Sequence, residues 1–148
     1  MAVRLDKRKE ELTRRLIHYR QGKVSGAKGQ LFEAFIIQYI SHVSPSDLEW
    51  FSIPEIYHLI REHWAFALKR PANTPCVRVY KPIKKAHGYS TGHSVIEICN
   101  DDMPFLVDSV KATIDRFDLK IRFIIHPVIF VRRNTNGTVV EVQDPEQQ

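Results

Sequence analysis

The spacing of apolar residues predicts three helices in the first half of the chain. Residues 5–21 are highly charged and carry only a thin apolar stripe, so this helix is expected to bury little surface. Residues 30–42 have a wide apolar face at helical spacing, which indicates a helix that must be packed. A third helix is predicted from Ser52, because Glu55 follows at the capping-box spacing, and it ends in the proline-containing stretch of residues 70–75.

After residue 75 the pattern changes to one that is typical of strands. Residues 76–80 and 94–99 alternate or run apolar over a short length, and each predicts a strand. A helix is predicted over residues 105–117, where apolar residues recur at intervals of three and four. The residues of this line, which we expect to face the core, are Val107, Val110, Ile114 and Phe117.

Two further strands are predicted near the end of the sequence. Residues 120–133 are dense in Ile, Phe and Val and predict one long strand. His126-Pro127 lies in its middle, and because proline has no N–H to donate to a ladder, we expect a bulge or an edge there. An Asn-Gly hairpin turn at residues 134–137 leads to the last strand, residues 138–142.

The order of these elements predicts an α+β fold in two parts. Residues 1–72 form a helical N-terminal segment of about three helices, and residues 73–148 form an antiparallel sheet with one packed helix. A length of 148 residues is enough for a proper hydrophobic core.

The net charge of +5 is unevenly distributed. Residues 4–28 hold nine basic and three acidic side chains, whereas residues 29–148 hold 13 basic and 14 acidic ones. A solvated helix face, or one that docks on an acidic neighbour, accounts for this pattern, since Tyr19 is the segment's only aromatic for stacking bases. The alternative is a stand-alone basic nucleic-acid-associated α+β protein. Its contacts would come from Lys7, Arg8, Lys9, Arg14 and Arg15.

Several other signals narrow the class of protein. No apolar run approaches the roughly 20 residues that cross a bilayer, and the first ten residues lack the apolar centre of a signal peptide. Cys76 and Cys99 are too few for a disulfide framework, and neither belongs to a metal-type pair. We therefore expect a cytoplasmic protein without a membrane partner.

The sequence offers few candidates for catalysis. Asp101 and Asp102 could share a metal or a proton with Asp108, but capping of the helix that follows is the simpler interpretation. A small metal-dependent enzyme around His87, His93 and Asp102 is the weakest of our hypotheses, because no supporting ligand spacing is present. We expect no catalytic residue and no metal site.

The junction between the second strand and the next helix is a more general candidate site. The free N–H groups at a helix start can receive a carboxylate or a phosphate without any special side chain. A plain capped helix with water at its end is an equally good interpretation of residues 98–107.

The same junction carries a family resemblance. The run Asn-Asp-Asp-Met-Pro-Phe-Leu-Val-Asp-Ser-Val at residues 100–110 closely resembles a segment near the start of the large bacterial NAD-specific glutamate dehydrogenases. The resemblance continues through the His-Pro strand at residues 125–128 and the Arg-Arg pair at 132–133. The resemblance to this family covers about residues 94–142. It is specific because the matching run at residues 100–110 is long and unusual.

The stretch also resembles an ACT domain, a βαββαβ module with a ferredoxin-like sheet that often binds an amino acid at its first strand–helix turn. This resemblance implies an effector site. Its residues would be Asn100, Asp101, Asp102, Met103, Phe105 and Leu106. Phe105 stands where ACT sites usually have glycine, so we expect its side chain to close the pocket. The second ACT helix and last strand are absent from this sequence, and residues 76–80 are expected to take the edge beside residues 94–99.

The resemblance implies an N-terminal regulatory or assembly region. The parent enzyme would convert L-glutamate, NAD and water to 2-oxoglutarate, ammonium and NADH, with its NAD-binding and catalytic domains far downstream. This chain is expected to be non-catalytic and to bind no cofactor itself. The implied partners are the rest of the dehydrogenase chain, homo-oligomer subunits and an amino-acid effector, with no nucleic acid and no membrane.

Overall fold

The computed structural model describes the backbone of residues 2–145 and the side chains of residues 7–145. The first residue of the predicted helical segment and the last three residues of the predicted sheet part lie outside the described residues. It confirms the α+β class. The helices are α1 (Ala2–Arg20), α2 (Gly26–Ser41), α3 (Pro45–Leu48), α4 (Ile53–Ala67), α5 (Lys84–His87) and α6 (Leu106–Arg116). The strands are β1 (Cys76–Tyr80), β2 (Val95–Cys99), β3 (Val131–Arg133) and β4 (Val139–Val142).

The hydrophobic core lies among the first four helices. Phe32, Ile36 and Tyr39 of α2 pack with Ile60 of α4, and all are almost fully buried. The thin apolar stripe predicted for α1 is confirmed, because Leu16 is completely buried in this core and Leu12 and Tyr19 pack against it. Burying a leucine side chain contributes about 2 kcal/mol, so this narrow stripe attaches an otherwise charged helix to the core.

The third predicted helix begins as the sequence indicated. Ser52 is the N-cap residue of α4, and its N–H and hydroxyl both donate to the Glu55 carboxylate, at 3.0 and 2.7 Å. Burial of Ile56 and Ile60 on one face confirms the predicted core side of this helix. No helix in the described part of the chain is both long and apolar enough to cross a membrane.

The strands form two antiparallel pairs. β1 pairs with β2 from Cys76 opposite Cys99 to Tyr80 opposite Val95, which confirms the predicted edge position of residues 76–80. β3 pairs with β4 in a second two-stranded sheet. The four strands of the described residues are thus split between two small sheets.

The long strand predicted over residues 120–133 was wrong. Only Val131–Arg133 pairs as a strand, and the irregularity in its ladder lies between Arg132 and Arg133 instead of at His126-Pro127. β-propensity favours strands only where a partner strand is available, and β4 covers just the end of this segment. Its Phe130 N–H donates instead to the side chain of Gln38 in α2, at 2.9 Å.

The packing predicted for α6 was also wrong. Val107, Val110 and Ile114 are only partly buried, and Phe117 is 72% exposed. No residue of α6 is buried, so its apolar face is not part of the core of the described residues.

Backbone hydrogen bonds join the β3–β4 hairpin to the residues that directly follow α4. The Arg70 N–H donates to the Gly137 carbonyl and the Val139 N–H to the Leu68 carbonyl, both at 2.9 Å. Gly137 has a φ of 79°, and a Cβ there would lie 2.2 Å from the Arg70 carbonyl oxygen, so the turn requires glycine. On α2, the buried Gln38 amide also donates to the Gln143 carbonyl.

A buried polar network joins the β1–β2 sheet to the helices. Its centre is Glu97 of β2, whose side chain is 3% exposed. The Glu97 carboxylate accepts hydrogen bonds from Arg78 Nε and from the Tyr80 hydroxyl, both at 2.9 Å. His63 Nε2 of α4 lies 3.3 Å from the same carboxylate. The charge is therefore paired from its own sheet and from the helix beneath it.

The network continues away from Glu97 in both directions. The Tyr39 hydroxyl contacts His63 Nδ1 at 2.7 Å, and Arg78 reaches Glu62 at 3.4 Å. Burial lowers the pKa of His63, although the Glu97 carboxylate opposes this shift, so the imidazole is neutral near pH 7. A neutral ring fits the contacts, because Tyr39 then donates to Nδ1 while the Nε2 proton points at Glu97.

We expect Glu97→Gln to lower the free energy of unfolding by about 2 kcal/mol, because it removes the charged acceptor of the Arg78 and Tyr80 hydrogen bonds, while the partly exposed Arg78 keeps Glu62 as a partner. Urea unfolding followed by circular dichroism measures the change. Glu141→Gln is the matched control. It breaks the exposed Arg132–Glu141 pair of 2.8 Å, which is expected to contribute less than about 1 kcal/mol. Equal losses in the two variants would contradict the structural role of Glu97.

Candidate functional site

The predicted effector residues lie together in the connection between β2 and α6. Asn100 and Leu106 are partly buried, and the four other proposed residues between them are exposed. The Asn100 side-chain amide contacts the Met103 sulfur at 3.6 Å. The connection therefore presents a short run of accessible backbone and side chains just before a helix start, as the sequence predicted.

The capping role predicted for Asp101 or Asp102 was wrong. The N-cap residue of α6 is Phe105, and no side chain caps the helix. Asp101 forms an ion pair with Arg70 instead, and Arg70 also donates to the Thr74 carbonyl at 3.1 Å. A buried guanidinium attracts a carboxylate more strongly than a helix start does, since a charge out of water must be paired.

Arg70 is the site residue that the sequence analysis missed. Its side chain is 8% exposed, and its Nε has no hydrogen-bond partner among the described residues. It lies three residues after the end of α4 and 31 positions before Asp101, and no local spacing rule connects the two. The only feature of the sequence that marked Arg70 was its position as a basic residue directly before the proline-containing stretch of residues 71–75.

Phe105 has an unusual backbone for an aromatic residue. Its φ is 62°, in the left-handed region that glycine favours, and this conformation costs a non-glycine residue about 1–2 kcal/mol. The residue at this position therefore has a backbone conformation that glycine would adopt without strain. The side chain is 78% exposed, so it does not close the junction as the sequence led us to expect.

Cys99, the last residue of β2, leads into the same junction. Its sulfur accepts a contact from Arg133 Nη2 at 3.8 Å. Burial raises the pKa of the Cys99 thiol, and the positive charges of Arg133 and Arg70 oppose that shift. The junction is therefore flanked by two guanidinium groups and one protonated thiol.

His87, one of the two histidines proposed as metal ligands, makes other contacts. His87 Nδ1 accepts the Ile83 N–H at 3.0 Å, and the His87 ring packs 5.1 Å from the ring of Tyr80. Within the part of the chain that the structure describes, no group of three or more His, Cys, Asp or Glu side chains could hold a metal ion. The structure does not bring His87, His93 and Asp102 together as such a group.

The basic residues of α1 also have contacts within the protein. Lys9 Nζ donates to the Ser41 carbonyl at 2.6 Å, and Arg14 pairs with Glu11 at 2.7 Å. The Lys9 contact joins α1 to the end of α2, whereas the Arg14–Glu11 pair lies within α1. Both are exposed, and an exposed ion pair such as Arg14–Glu11 contributes little stability.

The outer face of the β1–β2 sheet is a second candidate for function. The inner face carries the Arg78–Glu97 pair, and two aliphatic residues of each strand lie on the opposite face, away from the helices. Their exposed fractions are 62% for Val77, 63% for Val79, 45% for Ile96 and 39% for Ile98. Val77 lies opposite Ile98 and Val79 opposite Ile96, so the four side chains form one continuous apolar surface, called here the outer apolar face.

Comparisons with known proteins agree with the resemblance in the junction. The family model described as "Glutamate dehydrogenase, ACT1 domain" matches residues 35–148. The NAD-specific glutamate dehydrogenase of Halomonas elongata is 27% identical over 137 residues, covering 93% of this chain and 8% of the relative. That of Pseudomonas aeruginosa is 30% identical over 108 residues, covering 73% of this chain and 7% of the relative.

The chain spans less than a tenth of the length of these two relatives. No solved structure matches it significantly. The family model covers most of the chain and includes both candidate sites, the junction and the outer apolar face. The chain belongs to the glutamate dehydrogenase ACT1 domain family.

Proposed function

We propose that this chain is the N-terminal regulatory and assembly region of an NAD-specific glutamate dehydrogenase. The complete enzyme would oxidise L-glutamate with NAD and water to 2-oxoglutarate, ammonium and NADH. Within it, this chain docks through its outer apolar face onto a further part of the same dehydrogenase polypeptide.

The observation that carries the proposal is the reversed polarity of the β1–β2 sheet. A sheet with one face in water normally places its apolar residues inward and its polar residues outward. Here Arg78 and Glu97 point inward, while Val79 and Ile96 point outward. Contiguous exposed apolar surfaces mark interaction sites in folded proteins, and covering this one would release about 25 cal/mol for each Å² buried.

The length of the relatives favours an occupant from the same polypeptide. More than nine-tenths of each relative lies outside the region that this chain matches. A covalently linked segment reaches the outer apolar face at a high effective concentration, so even a modest contact would be occupied. A second copy of the chain would have to associate from solution at its cellular concentration, without the advantage of a covalent link.

The redox chemistry is assigned to other parts of the dehydrogenase. A dinucleotide is usually held by a parallel strand–helix–strand unit with a glycine-rich turn. Both sheets of the described residues are antiparallel pairs, so these residues do not form a site of the kind that holds a dinucleotide. NAD belongs to the complete enzyme in this proposal, and the chain's own role is non-catalytic.

To test docking, we would place Val79→Lys and Ile96→Lys together in the complete dehydrogenase. We expect its melting temperature and its assembled mass to fall, because two ammonium groups would be desolvated in an apolar contact. The isolated chain should keep its melting temperature, since both positions are exposed in it. Thr135→Lys, on the exposed hairpin turn, is the control and should leave both proteins unchanged.

Two outcomes of this experiment would contradict the docking proposal. The first is a complete dehydrogenase that melts and assembles normally with both lysines present. The second is an isolated wild-type chain that light scattering shows to be a dimer, and that the two lysines convert to a monomer. In that case a second copy, and not the same polypeptide, covers the outer apolar face.

We also propose that an amino-acid effector binds at the junction. The site would comprise the six predicted residues Asn100, Asp101, Asp102, Met103, Phe105 and Leu106. The exposed Phe105 ring supports this proposal, because it leaves the backbone ahead of α6 accessible to a ligand carboxylate.

A thermal-shift screen of the chain against the common amino acids and 2-oxoglutarate tests the effector. A ligand at about 100 times its dissociation constant should stabilise the fold by about 2.7 kcal/mol, which raises the melting temperature measurably. Asp102→Ala should abolish the shift, whereas Asp115→Ala, at the far end of α6, should preserve it. If no compound shifts the melting temperature, the chain acts as a scaffold alone.

A further inference from the structure

The two cysteines of the chain lie directly opposite each other. Cys76 begins β1 and Cys99 ends β2, and the antiparallel register pairs them. Directly opposite residues in such a ladder have Cα atoms about 4.5–5.5 Å apart, which lies inside the range of about 4.4–6.8 Å found for disulfides. Both side chains point to the inner face of the sheet and both are free thiols.

We propose that Cys76 and Cys99 form a reversible cross-strand disulfide when the protein meets a two-electron oxidant of the peroxide class. The proposal does not depend on the docking or effector functions. It makes this end of the sheet a modification site.

The reaction balances with one peroxide for each disulfide. The Cys76 thiolate attacks an oxygen of hydrogen peroxide, the O–O bond breaks, and a sulfenic acid forms as the other oxygen leaves as water. The Cys99 sulfur then attacks the Cys76 sulfur, the S–O bond breaks, and a second water leaves. The two thiols lose two electrons and two protons in total, and the peroxide gains them.

The surroundings of Cys99 assign the order of these two steps. Burial raises the pKa of its thiol, so Cys99 is a poor first nucleophile toward the oxidant. Arg133 contacts its sulfur at 3.8 Å, and the nearby Arg70 adds a second positive charge. These guanidinium groups stabilise negative charge on the Cys99 sulfur as it attacks in the second step.

The bridge would act on the junction. Cys99 is two residues before Asp101, which pairs with Arg70. Cys76 follows the turn of residues 71–75, where Thr74 accepts a hydrogen bond from the same Arg70. Oxidation therefore ties together the two stretches of chain that Arg70 already contacts, and it removes the Cys99 thiol as a free group beside Arg133.

The test is to treat the chain with hydrogen peroxide and measure its intact mass. We expect the mass to fall by two hydrogen atoms and to recover fully with dithiothreitol. Proteolysis without reductant should yield a peptide that links Cys76 to Cys99, and the melting temperature should rise on oxidation. A mass that only increases by whole oxygen atoms, or thiols that both remain open to alkylation, would overturn the proposal.

The matched control moves one thiol to the opposite face of the sheet. The double variant Cys99→Ser with Ile98→Cys keeps two thiols, but the second now points outward opposite Val77. It should form no intramolecular disulfide under the same treatment, and an equal yield of disulfide would count against the proposed geometry.

The single variant Cys99→Ser provides a second readout. It should stop at a Cys76 sulfenic acid that a dimedone probe captures, whereas Cys76→Ser should give little capture. Strong capture at Cys99 and none at Cys76 would refute the proposed order of attack. Circular dichroism on each variant identifies any that has failed to fold, and the remaining single variant then decides the order.

Discussion

The burial of one carboxylate, that of Glu97, determines which way the β1–β2 sheet faces. A charge removed from water must be paired, and Arg78, His63 and Tyr80 supply the partners from both sides. Holding Glu97 inward forces its strand neighbours outward, because side chains alternate along a strand. The outer apolar face and the inward position of both cysteines follow from that one orientation.

The parts of the fold that depend on local chemistry could be predicted from the sequence. The Ser52–Glu55 capping box is such a case and was confirmed. The pairing of residues 76–80 beside residues 94–99 was expected from the ACT resemblance, and it was also confirmed. The orientation of that sheet could not be predicted, since the usual rule places apolar residues inside. The long strand over residues 120–133 failed because composition reports β-propensity but says nothing about the extent of the partner strand.

The candidate site was located from the sequence, but its contacts were not. The run at residues 100–110 led to the junction and to the family, yet the partner of Asp101 lies in another part of the chain. Long-range pairing is invisible to spacing rules, and Arg70 is such a case. The division between residues 72 and 73 stays a prediction, although the contacts of Gln38 with Phe130 cross it.

Phe105 combines an unfavourable backbone conformation with a ring that is mostly in solvent. Neither property helps the isolated chain to fold, since glycine would relieve the backbone and exposed aromatic surface adds no packing. A population of sequences selected only for folding would therefore drift toward glycine at this position. The frequency of aromatic residues there among natural variants would measure how much the ring contributes once the rest of the enzyme is present.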